Sequence, residues 1–426
     1  MSVMEKNIYF FVLGTNHTLC KIDVVNTLTR EGHDFLILAA SEEVLLIETK
    51  DSFKINFLMA ELGSVVKAGR IFSLKQSVEE IIAEVKSKEF QEFFLPQKKE
   101  SYRFGISVYG AGGGFKRLNE IFYQVPSSLR KIKSLFEEEG ININYLSRKE
   151  REFSSVAVKE HNLLSEGFEM VLFSAKEGVY LGKTEIVQDY ESYSLRDYGR
   201  PARDPKAGMV PPKLAKMMIN LAGKEKKELF LDPFCGSGTM LQELSLLGYK
   251  NLIGSDSSAK SINDTKLNLE WLFSRFNLNK KDFKIELFQA DVTKISSKVN
   301  FKTVSAIVTE PYLGSPMARS FDLGKVKKEI KKLEELYLKA FLEFRKILKD
   351  GGGVVIIFPV FRFKSEFFSL GIMDELKKMG FEKIDYLFKK PEGWEKLNLN
   401  LTQRYSVIFF RPGQTVSREI LVFKKV

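Results

Sequence analysis

From about residue 213 onward, short apolar runs and helical stretches take turns, and that alternation leaves few folds open. Strand-like ELFLDPF, NLIGSDS, FKIELFQAD, VSAIVTEPY, GVVIIFPVF, KIDYLFKK and YSVIFFRP are interleaved with helix-like PKLAKMMINLAG, GTMLQELSLLG, AKSINDTKLNLEWLFSRF, KKEIKKLEELYLKAFLEFRKIL and MDELKKMG. A helix between two strands carries the chain back to its starting end, so successive strands pair in parallel and helices cover both faces. The predicted class is α/β with a doubly wound sheet, whose ligands bind at the carboxyl ends of the strands.

The preceding residues read differently. Residues 1–98 run strand-like IYFFVLG, a helical stretch, FLILAAS, VLLIETK and helical SVEEIIAEVKSKEF, which predicts a small N-terminal α+β domain. Residues 99–190 form a second α+β unit: YRFGISVYG, the glycine loop AGGGFKR read as a hairpin, the helix VPSSLRKIKSLFEEEG, then NINYLSR and FEMVLFSAKEGVYLGKTEIV. Residues 191–212, dense in Pro, Gly and charge, are the expected linker to a catalytic domain at 213–426. A chain of 426 residues has material for two or three such cores.

Composition removes several classes. With 44% hydrophobic and 28% charged residues the chain is ordinary globular protein and not a disordered one. No apolar run is long enough to span a bilayer, and the start lacks the pattern of a signal peptide, so a soluble cytoplasmic protein without membrane partners is expected. Two distant cysteines, Cys20 and Cys235, and three histidines, His17, His33 and His161, give neither a disulfide framework nor a metal site. Charge is lopsided: residues 1–200 hold 26 Lys and Arg against 29 Asp and Glu, net −3, while residues 201–426 hold 40 against 26, net +14. Such a basic half suits a phosphate-bearing partner, although a general surface habit produces the same footprint.

The strongest local signal is Asp232, Pro233, Phe234, Cys235, Gly236, Ser237, Gly238 and Thr239 between an apolar strand and a helix. Gly236 and Gly238 permit a tight turn with close ligand approach, and the helix start offers unpaired N–H groups. A dinucleotide fingerprint is disfavoured because position 241 is Leu where its third glycine belongs. The string resembles the cofactor loop of class I S-adenosylmethionine-dependent methyltransferases, which implies their Rossmann-like fold. Asp256, with Ser257 after it, ends the second strand, where a carboxylate accepts hydrogen bonds from ribose hydroxyls or caps the next helix. Asp291, followed by Val292 at the end of the third strand, resembles the position that reads the adenine amine; capping is its structural alternative. Cys235 is expected to pack, since no base stands near it in sequence.

At the end of the fourth strand stand Thr309, Glu310, Pro311, Tyr312, Leu313 and Gly314. The string resembles, imperfectly, the Asp, Asn or Ser followed by Pro-Pro-Tyr or Pro-Pro-Phe of enzymes that methylate exocyclic amines. Such an amine is a poor nucleophile because its lone pair is delocalised, so oxygen acceptors must hold its hydrogens and aim the lone pair. The resemblance makes Glu310 the acceptor, with a structural strand-end acid as the alternative, Pro311 the shaper of the turn and Tyr312 the second proline or the ring that stacks on an extruded base. Glu replaces Asp here and the second proline is absent.

Wider resemblance narrows the family. Residues 103–190 are similar to the THUMP module of RNA-modifying enzymes in FGISVYG, LRKIKSLFEEEG, FSSVAVKEHNLLSEGFE and VYLGKTEIVQDYESYSLRDYGRPARDP. With GMVPPKLAKMMINLA, DPFCGSGTMLQE and GSDSSAKSINDTKLNLEWL, residues 1 to about 320 resemble the tRNA guanine-N2 methyltransferases that act on guanosine 10. The resemblance implies S-adenosylmethionine as cofactor, tRNA as partner, a THUMP unit gripping the acceptor end and, for some relatives, a small zinc-binding activator subunit. Lys116 and Arg117 in the glycine loop and Arg196, Arg200 and Arg203 in the linker are candidate phosphate contacts, with loop structure and domain bracing as alternatives. Two rivals stay open: methylation of another RNA or DNA base amine, such as adenine N6, and a noncatalytic RNA-binding protein on a methyltransferase fold.

Overall fold

The structure, a computed structural model, describes residues 7–95, 99–203, 209–314, 323–363, 366–410 and 416–426. It divides into two compact units, one of Met1–Tyr190 with Lys389–Leu399, the other of Glu191–Phe388 with Asn400–Val426.

The first unit contains β1 (Asn7–Leu13), α1 (His17–Arg30), β2 (Phe35–Ala40), β3 (Val44–Thr49), α2 (Ile55–Glu61), β4 (Val65–Lys75), α3 (Val78–Ala83) and α4 (Lys88–Phe94). It continues through β5 (Tyr102–Gly110), α5 (Phe115–Glu138), β6 (Ile143–Tyr145), α6 (Ser155–Glu160), β7 (Gly167–Ser174) and β8 (Val179–Val187). Its strands form one sheet in the order β2-β3-β1-β4-β8-β7-β5-β6. The boundary expected at 98/99 therefore falls within a continuous sheet, because β4 pairs antiparallel with β8. Sequence reading passed over β4 because Lys67 and Arg70 interrupt its apolar run; burial of Lys67 is matched by Glu169 2.7 Å away on β7. AGGGFKR is not a hairpin, since β5 leads directly into α5 with Gly114 as its N-cap. Leu118, Ile121, Leu129, Ile132 and Phe136 then line one face of α5 at helical spacing and pack with Phe90, Phe94, Phe104 and Phe168. Each fully buried phenylalanine there contributes roughly 2–3 kcal/mol.

One segment of this unit comes from far along the chain. Residues 389–399 were expected inside the catalytic domain, yet Ile37 N–H donates to Glu392 O at 2.9 Å, Lys21 Nζ donates to Leu397 O at 2.5 Å, and the Leu397 side chain is buried.

The second unit begins with α7 (Tyr190–Tyr198) and α8 (Pro212–Leu221), then β9 (Leu229–Asp232), α9 (Thr239–Leu246), β10 (Asn251–Asp256), α10 (Ala259–Arg275) and β11 (Lys284–Gln289). β12 (Val304–Thr309), α11 (Leu323–Ile347), β13 (Leu348–Phe363), β14 (Glu366–Ser369), α12 (Met373–Lys378), β15 (Phe381–Lys383), β16 (Val407–Phe409) and β17 (Val416–Lys425) follow. Its sheet runs β11-β10-β9-β12-β13-β17-β15, parallel from β11 to β13, with β17 antiparallel to both its neighbours. This is the expected doubly wound α/β sheet, and its winding reverses between β9 and β12, where such folds open a crevice. α11 covers one face, burying Leu333, Tyr337, Phe341 and Phe344 against Ile356, Phe358, Leu421 and Phe423.

Two expectations change here. The last long strand is β17 and not YSVIFFRP, which supplies only the three residues of β16; residues 411 and 412 of that run lie outside the described residues. KIDYLFKK is not a strand beyond Lys383, and its last two residues enter the 389–399 segment. In the expected linker, residues 190–198 form α7, while 204–208 lie outside the described residues. Among the described residues no helix is long and apolar enough to cross a membrane.

Candidate active site

At the carboxyl ends of β9, β10, β11 and β12 lies a cleft of about 500 Å³. Its floor begins with a turn that the sequence builds locally. Asp232 ends β9 and is 3% exposed; its Oδ1 accepts from Thr309 Oγ1 at 2.6 Å and from Phe234 N–H at 3.2 Å. Burial, reinforced by the nearby charges of Asp256 and Glu310, pushes its pKa up to about 7 despite those hydrogen bonds. Asp232 therefore ties β9 to β12 beneath the cleft and does not line it. Gly236 and Gly238 take positive φ, +52° and +85°. At Gly238 a Cβ would meet the Thr265 side chain at 2.8 Å, so both conformation and space demand glycine. Thr265 Oγ1 donates to Gly236 O at 2.8 Å and Asn268 Nδ2 to Ser237 O at 2.8 Å, which fixes the turn from α10.

Asp256 ends β10 and lines the cleft, its carboxylate accepting Gly236 N–H at 3.0 Å and Ser258 N–H at 2.9 Å. Its two oxygens are thereby aimed without being saturated, since each has further acceptor capacity. Asp291 also lines the cleft and caps the following turn; Thr293 N–H at 2.9 Å and Thr293 Oγ1 at 2.8 Å hold its carboxyl below the usual range. The capping alternative thus holds for Asp291, whereas α10 after Asp256 is capped by Ser258. Pro233, Phe234, Ser257 and Val292 complete this side, whereas Cys235, Ser237, Gly238 and Thr239 do not line it. Cys235 is buried, which drives its thiol pKa well up, so packing is its role.

The opposite wall is Glu310, Pro311 and Tyr312. The Tyr312 carbonyl accepts Tyr337 Oη at 3.1 Å from α11, and the Tyr312 side chain is about half exposed at the rim. Glu310 Oε1 accepts from Arg418 Nε at 2.5 Å, with side-chain exposures of 11% and 6%. Arg418 also lines the cleft. Sequence reasoning missed it because β17 was missed; the apolar run ILVF after Arg418 and Glu419 was the available sign of a strand.

Two candidate phosphate contacts are turned inward. Arg196, 5% exposed, is bidentate on Glu243 at 2.6 and 3.4 Å, and Arg200, 4% exposed, donates to Thr239 Oγ1 at 2.6 Å. Both brace α7 and its following turn onto α9, so a phosphate does not reach them. Arg117 donates to Ala175 O at 3.1 Å and Gln76 O at 3.0 Å, fastening α5 to neighbouring loops. Lys116 and Arg203 are exposed, the latter over the Tyr198 ring at 5.1 Å.

Known proteins resemble this chain in sequence and in fold. A protein named tRNA (guanine(10)-N2)-dimethyltransferase from Methanocaldococcus jannaschii is 34% identical over 166 residues, 39% of this chain and 40% of its own length. Its namesake from Pyrococcus abyssi is 30% identical over 191 residues, 45% of this chain and 48% of its own length. The chain thus spans about half the length of these curated relatives. The crystal structure of TrmN from Thermus thermophilus shares the fold, with a TM-score of 0.53 across 99% of this chain and 100% of that one at 15% identity. Residues 200–380 match the family model UPF0020, described as RMKL-like, methyltransferase domain, and this part of the chain is such a methyltransferase domain.

Proposed function

We propose that the chain transfers a methyl group from S-adenosylmethionine to the exocyclic N2 amine of a guanosine in tRNA, at position 10. One observation carries the reading: a single cleft joins the glycine turn, Asp256 and Asp291 to Glu310, Pro311 and Tyr312. The names of the two curated relatives supply the substrate class. In this reading the first unit, with residues 389–399, combines an N-terminal part up to residue 98 with a THUMP-like RNA-binding part at 99–190, residues 191–212 connect, and 213–388 with 400–426 form the catalytic domain.

The cleft residues fit the cofactor's chemistry. Asp256 suits ribose hydroxyls, Asp291 an adenine amine, and Phe234 and Val292 the flat base; the cleft volume lies in the range of small-molecule sites. When bound, the cofactor supplies an electrophilic methyl carbon on a positively charged sulfur. The residues of the chain do the rest by orientation. Glu310 accepts a hydrogen of the N2 amine, which turns the lone pair toward the methyl carbon, and takes up the proton released as the new N–C bond forms. Pro311 limits the backbone at the strand end, and the Tyr312 ring offers a stacking face for an extruded base. The +14 charge of residues 201–426 favours approach of a polyanion.

The test is incubation with labelled S-adenosylmethionine and unmodified tRNA transcripts, followed by nucleoside analysis. Mono- or dimethylated guanosine that disappears when guanosine 10 is substituted is the expected product. Methylated adenosine would replace the guanine assignment with the rival base. Label absent from every tRNA despite cofactor binding, and still absent with a zinc-binding activator subunit added, would refute the reading.

A further inference from the structure

We propose that Arg418 is a positioning residue of the cleft, clamping Glu310 Oε1 so that Oε2 is presented to the target amine; this rests on the function proposed above. The relevant geometry is unusual in its economy. Glu310 makes one described hydrogen bond, Arg418 Nε to Oε1 at 2.5 Å, and its Oε2 has no partner among the described residues. Both side chains line the cleft although each is mostly buried, so the pair forms a wall and not a solvated surface bridge.

The clamp answers a problem posed by the sequence. The pattern at this strand end ordinarily carries a short acceptor, whereas glutamate adds a methylene and one more rotatable bond. A mobile carboxylate loses the orientation on which amine activation depends. A guanidinium that holds one oxygen removes that freedom while leaving the other oxygen's lone pairs available.

Arg418 is itself held rigidly. β17 pairs with β13 over nine residues, Gly353–Phe361 against Val416–Lys424, with Arg418 opposite Pro359. Successive strand residues face opposite sides of the sheet, and Glu419 accordingly bonds Arg404 and Ser406 elsewhere. The family match ends at residue 380, so the clamp comes from a strand outside the matched region.

The experiment compares wild type, Arg418→Ala, Arg418→Lys, Glu310→Ala and the double Ala variant, reading kcat, KM and cofactor affinity on unmodified tRNA. Arg418→Ala is expected to lower kcat at least about tenfold while cofactor affinity stays within about threefold, and Arg418→Lys to recover part of the loss. Because the arginine acts through Glu310, the double variant should be no slower than Glu310→Ala within about twofold. If Arg418→Ala does not fold, as loss of its cooperative thermal transition would show, Arg418→Met of similar volume takes its place; a folded variant that has lost cofactor binding overturns the clamp. A variant within about threefold of wild-type kcat overturns the clamp. So does a loss that multiplies fully on top of Glu310→Ala, which would mean that the guanidinium contacts the RNA directly. Wild-type protein inert on every tRNA overturns the proposed function and the clamp with it, an outcome distinguished by its appearing before any substitution.

Discussion

Each unit of the molecule buries a glutamate against a cation, and the two pairs differ in what is left over. In the first, Glu169 and Lys67 are 0% and 1% exposed and 2.7 Å apart. Ser107 and Thr184 each donate to Glu169 at 2.5 Å, one to each oxygen, and Lys67 also donates to Phe153 O at 2.7 Å. In the second, Glu310 has the same kind of charged partner but one oxygen without a partner among the described residues, and it faces a cleft. A buried carboxylate is tolerable when its lone pairs are satisfied; one left half satisfied beside a cavity is a group with something still to bind. Asp232 is a third case, a buried acid with hydrogen bonds and no cation partner among the described residues, and burial raises its pKa.

Breaking the first pair should have the largest effect on stability. Lys67→Met leaves Glu169 buried without its countercharge, and urea unfolding should show a loss of about 3–5 kcal/mol with cofactor affinity unchanged. A loss below about 1 kcal/mol would put the two pairs on an equal footing and remove the contrast.

Next in size is Glu310→Ala. If its role is orientation at the reacting amine, kcat on tRNA should fall at least about 100-fold, roughly 2.7 kcal/mol, with cofactor binding retained by calorimetry. A rate within about threefold of wild type would make Glu310 a structural acid like Glu169.

The smallest effect is the pH dependence contributed by Asp232. Its folded pKa, about 7, lies above the ordinary carboxylate value of 3.8, so the folded state holds the proton more tightly than the unfolded chain. The associated stability is complete below about pH 4 and is lost as pH rises through 7. Between pH 5.5 and 8 the loss amounts to about 2 kcal/mol, at 1.36 kcal/mol per unit. Asp232→Asn keeps an acceptor for Thr309 and Phe234, so its unfolding free energy should vary less over that interval by this amount. Identical pH profiles for the two proteins would show that the carboxyl titrates as if exposed.

Much of the second unit was legible because its signals are local. The helices from α8 to α12 and strands β9 to β13 follow apolar periodicity, and the turn after Asp232 follows from glycines whose φ values only glycine adopts readily. β4 was illegible because a buried lysine looks polar until its partner is known, and Glu169 is 102 residues away. The inward turn of Arg196 and Arg200 was hidden for the same reason: a linker arginine looks solvated in sequence, whereas its carboxylate or hydroxyl partner lies on α9.

The sequence by itself determined the alternating α/β domain, the glycine turn and the acids at the strand ends, because each depends on neighbours within a few residues along the chain. Only the tertiary structure decided that the strands from β1 to β8 share one sheet, that 389–399 belongs with that unit, and that Arg418 meets Glu310 across 108 residues. Those outcomes depend on strand pairing and on the matching of buried charges, and neither leaves a periodic trace at the positions involved.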